Sequence, residues 1–306
     1  MSSAHHHHHD HGTENVSDKA LLWAVGLNVG LSVFEVAAGA IAGSVALYAD
    51  ALHNFNDCAA LLIAYLARRI ARQAACSRYT FGRRRAELIG ALINLTALLV
   101  VGVYLVGESI SRFMQPTPVD GMWVMAASVV ALVIDLGTVW LLWSLSKGGL
   151  NLRAAFVHNL SDALSSVAVL AGGAAVWAWG WTWVDPGISL MIAGYIIWLS
   201  IGMMRETCHI LMEGAPPALD TTALQNAVEA LDGVSNLHHL HVWQLDEHHI
   251  ALEAHVVTTF AHMDQQTPLR EAIKRLLHDR FEIEHATLEF ETGATACPSN
   301  ELFPPH

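Results

Sequence analysis

The sequence predicts an α-helical membrane protein: six transmembrane helices followed by a C-terminal cytosolic α+β domain. Three observations carry this. The chain is 53% hydrophobic and only 14% charged, with a mean hydropathy of +0.38; soluble domains average roughly 25% charged residues. Six apolar runs follow one another, at about 20–42, 45–67, 86–110, 121–145, 154–179 and 187–205, each near the ~20 residues that cross a bilayer. After residue 213 the long runs stop and polar residues recur every few positions. The division expected is a histidine-rich cytosolic tail (1–19), a six-helix membrane unit (20–213), a cytosolic domain (214–292) and a loose C-terminal tail (293–306).

Basic residues in short loops set the orientation. Arg68, Arg69, Arg72, Arg78, Arg83, Arg84 and Arg85 lie between the second and third runs, Lys147 and Arg153 between the fourth and fifth, and Arg205 ends the sixth. The opposite loops hold Asp120 and Asp185, with only Arg112 near them. Both termini are therefore expected in the cytosol. The start, polar and without a basic-then-apolar order, does not resemble a secretion signal. With short loops, this points to a bacterial inner membrane.

The membrane runs contain ionisable residues, each costing about 2.5–3.5 kcal/mol on insertion scales. They are Glu35, Asp50, His53, Asp57, Asp135, His158 and Asp162, with Asn28 and Asn94 as polar companions. His53/Asp57 in "HNFND" and His158/Asp162 in "HNLSD" repeat one pattern in two runs. Residues four apart share a helix face. If the two faces meet, two imidazoles and two carboxylates form a donor set suited to tetrahedral Zn²⁺. A structural His–Asp hydrogen bond within each helix is the alternative, and the repetition argues against it. Asp50, one turn before His53, is either a relay group or a side chain reaching for the interface. Histidine titrates near pH 6.5, and protons compete with metal for the same lone pairs.

An enzyme is not expected: four donors leave no open position for a catalytic water, and neither HExxH nor GxxxxGK[ST] occurs. The four cysteines, Cys58, Cys76, Cys208 and Cys297, have no CxxC spacing. Within the net charge of −12, residues 214–306 hold four basic and fourteen acidic residues, together with ten of the nineteen histidines. Such a tail is a poor nucleic-acid binder, so no nucleic-acid partner is expected, and it is open to two readings, a divalent-cation binder or an ordinary acidic domain. Its helix at "PALDTTALQNAVEALDGV" carries Leu224, Val228 and Leu231 at helical spacing and stops at Gly233. "NLHHLHVWQL" and "HIALEAHVVTT" read as strands around a "DEH" turn. "DQQTPLREAIKRLLHDRF" reads as a helix with Pro268 in its first turn, and "HATLEFE" as a last strand. The order αββαβ suggests a small open sheet with helices on one face.

Taken together, "GSVALYADALHNFNDCAALL", "NLRAAFVHNLSDALSSVAVL", "YTFGRRRAELIGALIN", "LHHLHVWQL" and "EAHVV" resemble the cation diffusion facilitator family over nearly the whole chain. The resemblance implies zinc export in exchange for protons, six membrane helices, a metallochaperone-like cytosolic domain and a homodimer. It implies a transport site of His53, Asp57, His158 and Asp162, and further zinc ligands at His238, His255, His285 and Glu291. The fourth-to-fifth loop, "SLSKGGLNLR", lacks the histidines of many vertebrate relatives. The second-to-third loop, with only Cys76, implies no extra metal site there. The run His5–His9, interrupted by Asp10, is either a metal-catching tail or a purification tag. A membrane metal sensor that signals through its tail without net transport is the competing reading.

Overall fold

The structure, a computed structural model, describes residues 11–145, 150–260, 262–292, 297 and 301–303. The histidine run, the loop at 146–149, most of the expected loose tail and the side chain of His158 lie outside the described residues. The chain divides into two compact units, one of residues 1–65 and 93–203, the other of 66–92 and 204–306.

The first unit is built from long helices: α1 (His11–Ala42), α2 (Val45–Ala71), α3 (Ala86–Met114), α4 (Gly121–Leu145), α5 (Leu150–Trp179) and α6 (Val184–Leu211). Most outrun the apolar segments read from the sequence by several residues, because a helix continues into the polar interface beyond the hydrocarbon. The last turn of α2, for example, carries Arg68 and Arg69. Among the described residues, stretches of α3, α4, α5 and α6 are each long and apolar enough to cross a membrane. The apolar part of α1, Gly26–Ala42, is shorter, and α2 is diluted by Asp50, His53, Asn54, Asn56 and Asp57.

Side chains in this unit are distributed inside out. Glu35, Asp50, Asp135, Ser109, Ser166 and Ser189 are buried, whereas Val33, Val103, Trp140 and Trp198 are each more than 60% exposed. Water would make that surface an aggregation site; hydrocarbon makes it the favourable one. The unit is thus a helical transmembrane domain, and the chain an integral membrane protein. Helices pack through small residues, as expected where lipid removes the hydrophobic drive. At Gly121 on α4 an added Cβ would lie 2.6 Å from the Gly173 carbonyl and from the Trp177 backbone nitrogen of α5.

One end of the bundle is held by an acid that crosses between helices. Asp185, at the start of α6, is buried. It accepts hydrogen bonds from the Ser44 hydroxyl and, at 2.8 Å, from the Val45 N–H. It thereby satisfies the open N-terminus of α2 from a neighbouring helix. Arg112 of α3 donates to the Gly43 carbonyl at 3.0 Å and pairs with Glu108 at 2.9 Å. Trp179, Trp181 and Trp183 stack nearby in sequence, with centroid separations of 5.3 and 6.1 Å, forming an aromatic anchor of the interfacial kind.

The second unit contains α7 (Thr221–Glu229), β1 (Val234–Gln244), β2 (Ile250–Thr258), α8 (Met263–Phe281) and β3 (Ile283–Glu291). Asp220 caps α7 by accepting from the N–H groups of Thr222 and Ala223. β1 pairs antiparallel with β2 and β2 parallel with β3, in spatial order β1-β2-β3. Leu224 and Val228 of α7, Leu269, Ile273 and Leu277 of α8, and Leu237, Leu240, Leu252, Ala254, Val256 and Ile283 of the sheet form one core. Pro268 sits in the second turn of α8, not the first. The opening turn is already made when Gln265 and Gln266 donate to the His262 carbonyl. Gly233 has φ +94°, and a side chain there would collide with the Phe260 ring.

A bulge between His238 and His241 resets the phase of β1, with His239 at φ +51°. It lets both Leu237 and Leu240 enter the core, which strict alternation would forbid. The N–H groups of His239 and Leu240 turn to the carbonyls of Glu301 and Leu302, at 3.2 and 2.7 Å.

Replacing Asp185 by Ala leaves the first N–H of α2 without its acceptor. Thermal unfolding of the detergent-solubilised protein should show a loss of roughly 1–2 kcal/mol, as for a deleted helix cap; an unchanged melting temperature would refute the capping role.

Candidate metal centres

Among the described residues, two clusters of side chains able to ligate a metal emerge, one in each unit. In the membrane unit, His53 and Asp57 project from adjacent turns of α2, and Asp162 approaches from α5. His53 Nε2 lies 3.6 Å from Asp57 Oδ2 and 3.6 Å from Asp162 Oδ1. One ligand atom from each of the three can lie within 4.8 Å of both others, close enough to share one ion. His158 stands one helical turn before Asp162, on the same helix.

Beside this cluster runs a buried polar network. The Ser165 hydroxyl donates to Asp50 Oδ1 at 2.7 Å. Ser166 donates to Asp135 Oδ2 at 2.7 Å and also lies 3.4 Å from Asp50. Asn54 donates to Glu35 at 3.2 Å. Glu35, Asp50 and Asp135, from α1, α2 and α4, are thus tied to the site helices. Asp50 is 1% exposed, so it does not reach for the interface.

In the second unit, the face of the sheet turned away from its helices carries the other cluster. His238 on β1 is paired across the strands with His255 on β2, and β3 supplies Glu291. His255 Nδ1 is 2.8 Å from Glu291 Oε1, and His238 Nε2 is 3.4 Å from Glu291 Oε2. Cys297 brings its thiol to 3.5 Å from His255 Nδ1, and its N–H donates to Glu291 at 3.0 Å. One donor atom from each of these four residues lies within 4.8 Å of the others. His238 is fully buried, and among the described residues its Nε2 has no hydrogen-bond partner. A buried orphan atom of this kind is costly, and a cation among these donors would remove the cost.

His285 does not join this group. It precedes Glu291 by six residues on the same strand, about 20 Å at ~3.3 Å per residue. There it pairs in register with Ala251 and meets the Phe81 ring edge-on at 5.5 Å. Cys297 was missed by sequence reading because cysteines were sought as pairs. Its signal is a lone thiol six residues beyond the acid that ends the last strand.

The protonation states suit a metal that arrives by displacing a proton. Burial, together with neighbouring His255 and His239, lowers the pKa of His238 despite the opposing pull of Glu291, so its imidazole is neutral and ready to ligate. Burial raises the Glu291 carboxyl, but hydrogen bonds from Cys297 and His255 outweigh it and leave the pKa lowered. Hydrogen bonding to Glu291, then burial and the charges of Glu291 and Glu289, raise the Cys297 thiol.

The helical membrane domain, the small cytoplasmic sheet domain and the two nitrogen-and-oxygen-rich clusters define a metal-handling integral membrane protein. Residues 21–212 match the cation efflux transmembrane domain, and residues 216–292 the cytoplasmic domain of cation efflux proteins. The chain belongs to this family, the cation diffusion facilitators. It is 36% identical over 295 residues to the zinc transporter ZitB of Escherichia coli, covering 95% of this chain and 93% of that one. It is 31% identical over 288 residues (92% and 91% of the two chains) to the cadmium, cobalt and zinc/H⁺-K⁺ antiporter of Bacillus subtilis. With the metal cation efflux system protein CzcD of Cupriavidus metallidurans it shares 32% over 291 residues, 95% of this chain and 90% of that one. A solved metal-bound C-terminal domain of the CzcD transporter matches 24% of this chain and 99% of its own length, at 34% identity and a TM-score of 0.22.

Cys297→Ser should weaken zinc binding to the cytosolic cluster by about 10–100-fold and reduce the protons released on binding. The sign follows from the thiol: its raised pKa keeps it protonated at neutral pH, metal must expel that proton, and affinity therefore rises with pH. Calorimetry of the full chain in buffers of different ionisation enthalpy measures both; equal affinity and equal proton release in the variant would remove Cys297 from the ligand set.

Proposed function

We propose that this chain exports Zn²⁺ from the cytosol in exchange for protons, by alternating access through His53, Asp57, His158 and Asp162. The observation that carries the reading is the meeting of His53 and Asp57 with Asp162 from a second helix, inside a bundle whose outer surface suits lipid. Two nitrogens and two oxygens suit tetrahedral zinc; cadmium, cobalt and nickel fit the same donors, since geometry rather than raw affinity selects among them. The names of the relatives, zinc transporter and cadmium, cobalt and zinc antiporter, accord with this set.

Coupling follows from competition for lone pairs. Facing the cytosol, the site takes the metal onto the lone pairs of its imidazoles and carboxylates; facing the other side, protons compete for the same lone pairs and displace it. The protein needs no ATP site and does no covalent chemistry, so it is a transporter rather than an enzyme. All six helices cross the membrane, with both termini and the αββαβ metallochaperone-like domain in the cytosol of a bacterial inner membrane.

The functional unit is a homodimer. Each cytosolic tail holds ten more acidic than basic residues, so two tails repel at distances within the Debye length of about 8 Å. Zinc at His238, His255, Glu291 and Cys297 offsets that repulsion and favours closure, and the cluster serves regulation rather than transport. The competing sensor reading draws on the completeness of this cluster within one chain, but it leaves the intramembrane site without a purpose.

In proteoliposomes with an imposed pH gradient, zinc uptake should drive protons the opposite way. Asp162→Ala or His53→Ala should cut the flux by two orders of magnitude or more, beyond the roughly 10–100-fold typical of outer-shell changes. Zinc binding to the tail without any flux in the wild type would instead establish the sensor.

A further inference from the structure

The second unit contains a cavity of about 1200 Å³ that neither metal centre uses. Its wall is basic, in a region otherwise rich in acid. Arg78, Arg83, Arg84 and Arg85 line it, opposed by Glu213 and Glu253. Arg85 is held by Glu213 at 3.2 Å, and Arg84 lies 3.5 Å from Asp246. Arg83 lies over the Tyr79 ring, 4.7 Å from its centroid, while Arg78 is exposed. The tight turn in which the Cys76 and Tyr79 N–H groups each donate to the other residue's carbonyl fixes the loop that presents them.

The cavity is also amphipathic. Ile70, at the end of α2, and Ile89, in the first turns of α3, line it and are 42% and 52% exposed. Both belong to helices that continue as membrane segments. A soluble anion would need the arginines and have no use for these isoleucines. A molecule with a phosphate at one end and a hydrocarbon chain at the other matches both, and basic pockets at the cytoplasmic ends of membrane helices recognise anionic headgroups.

We propose that this cavity binds the phosphate headgroup of an anionic phospholipid from the cytoplasmic leaflet, with an acyl chain laid along Ile70 and Ile89. The assignment rests on the membrane orientation proposed above, and its test does not require zinc flux. Bound lipid would tie the arginine loop and the sheet domain, whose Leu240 and Trp243 share the wall, to the state of the membrane surface.

Native mass spectrometry of the full chain, titrated with phosphatidylglycerol or phosphatidylcholine, provides the test. Phosphatidylglycerol should bind preferentially. Arg78→Gln with Arg83→Gln should weaken it about thirtyfold, roughly fivefold per arginine, whereas Arg205→Gln, outside the cavity, should change it little. Millimolar inorganic phosphate should not compete; if it does, the ligand is a soluble anion and the lipid assignment fails. Equal binding by the double variant also overturns it. A photoactivatable phosphatidylglycerol on the unmodified chain should label residues 78–89, and labelling confined to other segments is a refutation independent of the variants' folding.

Discussion

Carboxylates buried inside a unit whose outer surface suits hydrocarbon, with the half-buried His53 beside them, constrain everything else in the membrane unit. Such groups are tolerated only when something neutralises or satisfies them. Part of the answer is internal: hydroxyls of Ser165 and Ser166 and the amide of Asn54 serve Asp50, Asp135 and Glu35. The remainder, His53, Asp57 and Asp162, converge closely enough to share one ion. The small residues that let α4 and α5 touch backbone to backbone position this arrangement, and Asp185 fixes the far end of α2.

The cytosolic cluster obeys the same logic in a different medium. Three neighbouring strands bring His238, His255 and Glu291 to one patch, and Cys297 closes it. Because the patch forms on the face opposite the helices, the hydrophobic core can stay intact while the metal state changes. The thiol makes this site softer than the one in the membrane, so the two centres need not rank metals alike.

Much of this was legible from residue order. Helix-length apolar runs marked where the long helices lie, and the His–Asp spacing of "HNFND" put His53 and Asp57 on one face of α2, because both signals are local and periodic; the matching face at His158 lies outside the described side chains. What the sequence hid was long-range. Asp185 reads as a loop acid, and only the fold reveals that it caps a helix more than a hundred residues away. Glu35, Asp50 and Asp135 could be picked out as misplaced charges, but not as members of one network. His285 illustrates the opposite failure: a histidine on the correct strand is displaced from the cluster by the register alone. Cys297 escaped notice because the chain reaches it beyond the last regular element, where no periodicity marks position.

The most direct measurement is X-ray absorption of zinc bound to the full chain after the cytosolic cluster has been removed by His238→Ala and Cys297→Ala. A shared intramembrane ion predicts about one equivalent of zinc per chain in a nitrogen- and oxygen-only shell, at roughly 2.0–2.1 Å, lost together with binding when Asp57 and Asp162 are replaced. Sulfur in the shell, or no zinc retained once the cytosolic ligands are gone, would contradict it.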